Sequence, residues 1–132
     1  VLCIKYSFVF FVMTFFSVSV FSLQPPFTED ELNSESNTIV HGEVTKVWST
    51  GQKKKNDCAS IEYFQAELKV EKTLKGKAMD KVKISFRDYN YTNGCVGPAD
   101  HVHHKGEKGR FYLSCQENAC SLVNWNGFKA YE

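Results

Sequence analysis

The chain has 132 residues, of which 42% are hydrophobic and 23% are charged, and its formal net charge is +1 at pH 7. This length suits a single small domain. The near-neutral balance argues against proteins that hold nucleic acid or anionic membranes through excess positive charge, so we expect no nucleic-acid partner.

Residues 1–22 have the layout of a secretory signal peptide. A basic Lys5 precedes an uncharged run over Tyr6–Phe21 that is rich in Phe and Val and ends before Ser22. This run is shorter than the roughly 20 apolar residues of a spanning helix, so an uncleaved anchor is the weaker alternative. We predict cleavage before Leu23, secretion to the extracellular space, and no membrane attachment afterwards.

The segment 23–38 is mostly polar and predicts one short helix. Thr28 and Glu31 have the spacing of the N-cap and N3 residues of a capping box. We predict a helix that begins after Thr28 and continues to about Glu35, with Leu32 as its apolar anchor.

From residue 39 to residue 132, apolar and polar residues alternate as they do in half-buried antiparallel strands. In the first three strands, the residues predicted to face the core are Val40, Gly42, Val44 and Trp48; Phe64, Ala66, Leu68 and Val70; and Val82, Ile84 and Phe86. Two further strands are predicted over Phe111–Cys115 and Cys120–Trp125. Five strands without a second helical block predict an all-β fold, a closed or partly closed β-barrel, with a small sandwich as the alternative. Gly42 fits a barrel, because a glycine within a strand often marks a bulge or a sharp coil of the sheet.

Removal of residues 1–22 would take away Cys3 and leave four cysteines: Cys58, Cys95, Cys115 and Cys120. In an oxidising compartment, four cysteines predict two disulfides with three possible connectivities. Cys115 and Cys120 flank a short turn between predicted strands, so the spacing favours Cys115–Cys120 together with Cys58–Cys95. A zinc site fits less well, because no Cys-x-x-Cys pair is present.

The basic triplet Lys53, Lys54 and Lys55 falls in a predicted loop after the first strand. Such a triplet is able to contact a sulfated glycan or an acidic partner. A solubilising loop tip is the alternative interpretation.

Asn90-Tyr91-Thr92 is a sequon for N-glycosylation. The surrounding residues have a loop-like composition, so we predict that Asn90 is exposed and available for modification.

The segment Asp100-His101-Val102-His103-His104 is the cluster with metal-ligand character. In an extended segment His101 and His103 share a face, and Asp100 or His104 would add a ligand for zinc or copper. We favour a solvated loop, with a metal site or a pH-responsive loop as alternatives. No cofactor is therefore expected.

Five segments follow one another in a fixed order: Ile39–Val47, Phe64–Gly76 with its Leu-Lys-Gly end, Val82–Phe86, Asn93–Gly97, and Lys105–Leu113 with its Lys-Gly-Glu start. Over about Ile39–Trp125, this order resembles the netrin-like module, the OB-fold domain shared with tissue inhibitors of metalloproteinases. The resemblance implies a five-stranded OB-like Greek-key barrel with an extracellular binding role. In the inhibitors, an N-terminal cysteine presents its amine and carbonyl to the protease zinc, whereas the predicted start here is Leu23.

The sequence contains no Gly-x-Ser-x-Gly or His-Glu-x-x-His motif, so we expect no enzymatic activity. We expect a secreted, disulfide-stapled binding module of the netrin-like type. Its partner would be a matrix component or another secreted protein, contacted through the loops carrying Lys53–Lys55 and Asp100–His104. The alternatives are a divergent metalloproteinase inhibitor and a small secreted metal-binding or mineral-associated protein.

Overall fold

A computed structural model describes residues 24–131, so the predicted signal peptide and its cleavage site before Leu23 lie outside the described residues. The described part is an all-β structure with one short helix. Its elements are α1 (Glu29–Glu35), β1 (Thr38–Lys55), β2 (Ala59–Lys75), β3 (Lys81–Tyr91), β4 (Lys108–Gln116), β5 (Ala119–Leu122) and β6 (Phe128–Ala130). Between residues 24 and 131, no helix has the length and apolar character needed to cross a bilayer.

Helix α1 begins at the predicted capping box. The Glu31 N–H donates to the Thr28 hydroxyl over 3.2 Å, and the Thr28 N–H donates to the Glu31 carboxylate over 3.2 Å. These two bonds satisfy donors that the first turn leaves without helical partners. Leu32 is fully buried and packs with Ile39 and Tyr112, which attaches the helix to β1 and β4. The predicted helix and its anchor are therefore confirmed.

The strands form one sheet in the order β1-β2-β3-β5-β4-β6, and β1 also pairs with β4. All pairs are antiparallel except β3 with β5. The pairings are uneven in length: β1 and β2 pair from Ile39 to Lys55 along β1, whereas β3 and β5 meet only at Lys83↔Ala119 and Ile84↔Cys120. Residues 49–55 of β1 are exposed, so the β1–β2 hairpin extends beyond the core.

The main core is enclosed by five of the strands. Its buried members are Val40, Val44, Ala66, Leu68, Val82, Ile84, Phe86, Phe111, Leu113 and Cys120. Phe64 and Val70 are partly buried against it. The alternation predicted for the second and third strands is therefore confirmed.

The predicted inward position of Trp48 is wrong. The register of β1 against β2 shifts between Val44 and Lys46, which places an extra residue in β1. Side chains along a strand alternate between its two faces, so an extra residue moves every later side chain to the opposite face. Val47 therefore packs against the core in place of Trp48. A second register shift lies between His41 and Gly42, as the glycine predicted, but the extra residue there is Glu71, so the bulge lies in β2 opposite Gly42.

The end of the described chain differs from the prediction of a fifth strand reaching Trp125. β5 ends at Leu122, and residues 123–126 form a bend and turn closed by a 2.9 Å bond from the Gly127 N–H to the Asn124 carbonyl. The turn redirects the chain so that β6, a sixth strand not predicted, pairs with β4 at Phe111↔Phe128. The alternation over residues 120–125 carried no sign of this turn.

Leu32→Ala tests how α1 is attached. Because Leu32 is fully buried between the helix and two strands, we expect its truncation to lower the free energy of unfolding by about 2–5 kcal/mol. Urea denaturation followed by circular dichroism measures the change. The matched control is Leu74→Ala, where the side chain is 40% exposed and the expected change is about 0.5 kcal/mol or less. Equal losses in the two variants would show that α1 is not anchored by Leu32.

Candidate functional site

Two disulfides join the segments around the candidate site: one links the β1–β2 turn to the loop after β3, and the other links β4 to β5. Cys58 in the β1–β2 turn is bonded to Cys95 after β3, with 5.4 Å between their Cα atoms. Cys115 and Cys120 are register partners in β4 and β5, and their Cα atoms are 4.1 Å apart. This connectivity is the one that the spacing favours. It ties the start of the histidine-bearing loop to the β1–β2 hairpin.

The other end of this loop is fixed to β1 by backbone hydrogen bonds. The Val44 N–H donates to the Glu107 carbonyl over 2.9 Å, and the Gly106 N–H donates to the Val44 carbonyl over 2.8 Å. Gly106 has a φ of 91°, a left-handed conformation that glycine adopts without a Cβ clash. The turn at Gly106 therefore presents Glu107 beside the histidines that precede it.

The loop folds onto the core, so the prediction of a solvated loop is wrong for its central residues. His103 is 1% exposed and lies with its ring centre 5.0 Å from that of Phe86 and 6.0 Å from that of Phe111. Val102 is partly buried against the same core. Burying these two side chains extends the apolar core beyond the strands, because an imidazole ring also has apolar surface to bury.

Three side chains, His101, His103 and Glu107, form what we call the His–Glu cluster. The Glu107 carboxylate lies 2.8 Å from His101 Nε2 and 2.7 Å from His103 Nδ1, one oxygen to each ring. The imidazole centres are 4.7 Å apart. The side chains of His101, His103 and Glu107 are 29%, 0% and 10% exposed, respectively. One carboxylate thus bridges two imidazoles at the edge of the core.

The hydrogen bonds of the cluster determine its charge. Burial raises the pKa of Glu107, but the hydrogen bonds from His101 and His103, together with the positive charge of the rings, outweigh burial and bring that pKa to about 2. Glu107 is therefore an anion at neutral pH. Since a carboxylate only accepts, each ring nitrogen facing it carries a proton.

One polar atom of the cluster has no partner. Among the buried side-chain nitrogens and oxygens of residues 24–131, His103 Nε2 makes no hydrogen bond. Leaving a buried polar atom unpaired costs roughly 1–3 kcal/mol. Because an apolar side chain would avoid this cost, packing alone does not explain why a histidine occupies position 103.

Only two of the four predicted metal ligands join the cluster. Asp100 instead accepts hydrogen bonds from Arg87, over 2.9 Å from its backbone N–H and 3.0 Å from Nε. His104 is exposed and does not belong to the group of side chains that come together there. Glu107 was missed, although a glutamate four residues after a His-x-His pair and directly after Gly106 was a usable signal.

A groove of about 940 Å³ lies against the histidine loop, and both histidines of the cluster line it. Its other walls come from Gln24, from β1, β2, β3 and β5, and from the turn before β6. The wall contains aromatic rings and amides together: Tyr63, Phe64, Phe86, Trp125, Gln52 and Gln65. This mixture of apolar area with hydrogen-bonding groups is typical of ligand sites.

The basic triplet lies in a strand, so its predicted loop position is wrong. Thr50–Gln52 form an irregularity in the register, after which β1 resumes with Lys53↔Glu62, Lys54↔Ile61 and Lys55↔Ser60. Lys53 Nζ is 3.8 Å from the Glu62 carboxylate. Lys54 Nζ is 5.8 Å from the ring centre of Tyr63, which lines the groove. Lys54 therefore lies next to the groove.

Asn90 also lies in a strand and not in the predicted loop. It is exposed near the end of β3, where it pairs with Ser60 of β2. Its glycosylation stays a prediction.

The segment Gln24–Phe27 is fastened beside the groove by side-chain hydrogen bonds. Trp125 Nε1 donates to the Gln24 carbonyl over 2.8 Å, and Asn124 Nδ2 donates to the Pro25 carbonyl over 3.2 Å. The Asn126 amide both accepts from the Phe27 N–H and donates to the Phe27 carbonyl. These bonds hold residues 24–27 against the turn before β6.

Comparisons of the chain with protein-family models, with curated proteins and with solved structures give no significant match.

Acid is expected to weaken the His–Glu cluster in metal-free protein. A carboxylate with a folded pKa of about 2, lowered from 4.5, contributes stability that is present above about pH 4.5 and is lost as the pH falls through 2. We expect the free energy of unfolding to fall across this window more steeply in the wild type than in Glu107→Gln. Urea denaturation between pH 2 and pH 7 with a chelator measures it.

The control for this titration is Glu35→Gln, which changes an exposed glutamate at the end of α1. Its pH profile should follow that of the wild type. Parallel profiles of the wild type and Glu107→Gln would contradict the assigned coupling.

Proposed function

We propose that the protein is a secreted, non-enzymatic binding module with an OB-like barrel fold, and that its groove binds a sulfated glycan of the extracellular matrix. The fold proposal is supported by the pairing of β1 with both β2 and β4, which links five strands in a ring. Two disulfides support an oxidising compartment, where such bonds persist.

The observation that carries the ligand proposal is the position of Lys54 beside the groove. Lys54 lies over Tyr63, and Thr50 and Gln52 of the same strand line the groove. A sulfated sugar combines anionic groups, hydroxyls and apolar ring faces, so it matches cations, amides and aromatic rings arranged along one surface.

A binding role fits the charge arrangement of the groove better than a catalytic role. The carboxylate that lines it, Asp100, is already engaged by the backbone and the guanidinium of Arg87. The side-chain bonds raise the pKa of Arg87, and the charges of the two groups offset each other in an ion pair. This pair forms part of the groove wall, and Lys54 is left to attract the anion.

The proposal predicts that Lys54→Ala weakens binding of a heparin oligosaccharide. We expect a roughly 1.4- to 5-fold higher dissociation constant, which corresponds to an exposed charge pair worth about 0.2–1 kcal/mol. Trp125→Ala, which removes an aromatic wall of the groove, should also weaken binding. Isothermal titration calorimetry at two salt concentrations measures the affinity, which should fall as salt rises because salt screens exposed charges.

The matched control is Lys77→Ala, which removes an exposed lysine in the connection between β2 and β3. This variant should bind as the wild type does, and unsulfated dextran should bind to none of the proteins. Equal weakening by Lys77→Ala would reduce the effect to net charge. Absence of heparin binding at low salt would end the proposal.

Inhibition of a metalloproteinase is a second candidate function, and one observation favours it. The chain directly after the predicted cleavage site is held in place, since Gln24 and Pro25 are bonded to Trp125 and Asn124. An anchored start is what an inhibitor needs in order to present a terminal amine to a catalytic zinc.

This second candidate predicts that inhibition depends on a free amine at Leu23. A protein that starts at Leu23 should inhibit a matrix metalloproteinase, and the same protein extended by one alanine should lose that inhibition. Peptide-cleavage assays measure both. Identical curves for the two forms, or no inhibition by either, would remove this candidate.

A further inference from the structure

The His–Glu cluster has the composition and spacing of a transition-metal site. One ligand atom from each of His101, His103 and Glu107 lies within 4.8 Å of the other two. Two imidazoles and one carboxylate are a donor set that zinc uses with three protein ligands and an open position. We propose that this cluster binds a divalent transition-metal ion of the Zn²⁺ type through His101 Nε2, His103 Nδ1 and a Glu107 oxygen.

The distances allow an ion to enter with small side-chain movements. Zinc bonds to nitrogen and oxygen are about 2.0–2.2 Å long, so two ligands of one tetrahedral ion lie about 3.3 Å apart. The carboxylate is now 2.8 Å from His101 and 2.7 Å from His103, so each pair must separate by about half an ångström. The backbone of Glu107 is held by Val44, so this adjustment falls on the side chains of the cluster.

The protonation of the cluster is also compatible with the binding of a metal ion. In the metal-free form, His101 Nε2 and His103 Nδ1 each hold a proton against the Glu107 anion. The ion takes the lone pairs of these two nitrogens, and in a neutral ring the proton moves to the other nitrogen. The carboxylate then offsets one of the two positive charges of the ion.

The burial of His103 with an unpaired Nε2 is a second observation, because packing alone does not account for an imidazole at this position. His103 lies among Phe86 and Phe111, where a phenyl ring would fill similar space without burying an unpaired nitrogen. The structure gains nothing from an imidazole there unless its other nitrogen, Nδ1, has a task. The hydrogen bond from Nδ1 to Glu107 is one such task. It does not explain why the two residues are there, because a core without both of them would need neither a buried imidazole nor a buried carboxylate.

The cluster is reachable from solvent through its most exposed member. His101 has a 29% exposed side chain and lines the groove, whereas His103 forms the inner wall. An ion can therefore enter from the groove side. This inference does not rest on the glycan proposal, since each site has its own variants and its own probe.

The test is a titration of the chelator-treated, desalted protein with ZnCl₂ at pH 7.5. We expect one ion per chain and a rise in Tm of about 5–10 °C at a free zinc concentration near 100 times the dissociation constant. His101→Ala removes the most exposed ligand of the cluster and should weaken zinc binding by at least about tenfold. Glu107→Gln should weaken it to a similar extent.

The matched control is His104→Ala, which removes an exposed histidine of the same loop that lies outside the cluster. It should bind zinc with the affinity of the wild type. X-ray absorption of the zinc-loaded protein should show two imidazole ligands, and only one after His101→Ala.

Three results would overturn the proposal. The first is a wild-type protein that takes up no zinc, and the second is undiminished binding by His101→Ala. The third is equal weakening by His104→Ala and His101→Ala, which would show that the loop captures zinc without using the cluster. Heparin affinity measured on the same variants separates failure of the metal site from failure of the groove.

Discussion

The arrangement of the sheet depends on how closely β1 approaches its neighbours on both sides. Gly42 pairs with Val70 of β2 and with Gly109 of β4. A Cβ at Gly42 would lie 2.6 Å from the Lys69 carbonyl oxygen, and a Cβ at Gly109 would lie 2.1 Å from the Lys129 carbonyl oxygen. A side chain at Gly42 would push β1 away from β2, and one at Gly109 would push β4 away from β6, so the close approach of strands on both sides of this glycine pair needs both residues.

This double pairing also places the His–Glu cluster. The bonds of Gly106 and Glu107 to Val44 continue the contact between β1 and the start of β4. Glu107 is thereby fixed at the edge of the core, where burial alone would raise its pKa and discharge it. The two imidazoles reverse that tendency by donating to it. The carboxylate of Glu107 and the imidazole of His103 thus stabilise each other at the edge of the core. The free-energy cost of leaving His103 Nε2 without a hydrogen bond remains.

The groove is assembled from parts that are distant along the chain. Trp125 and Asn124 belong to the turn before β6, yet they hold Gln24 and Pro25 by hydrogen bonds to backbone carbonyls. At the other end, the register irregularity over Thr50–Gln52 lets β1 resume as a paired strand, which brings Lys54 over Tyr63. The binding surface therefore combines rigid strands with a turn that is braced by amide side chains.

The sequence by itself determined the features that follow from local chemistry. The capping box at Thr28 and the period-2 alternation of β2 and β3 were readable because caps and strands leave fixed spacings. Tertiary structure decided four other features. Val47 and not Trp48 packs against the core, and Lys53–Lys55 lie in a strand. A sixth strand forms, and the histidines have Glu107 as their partner. Each depends on register or on a neighbour remote in the chain, and a bulge or a turn changes register without changing the local pattern. Glu107 belongs to this group because its role arises only when the turn at Gly106 returns it to His101 and His103.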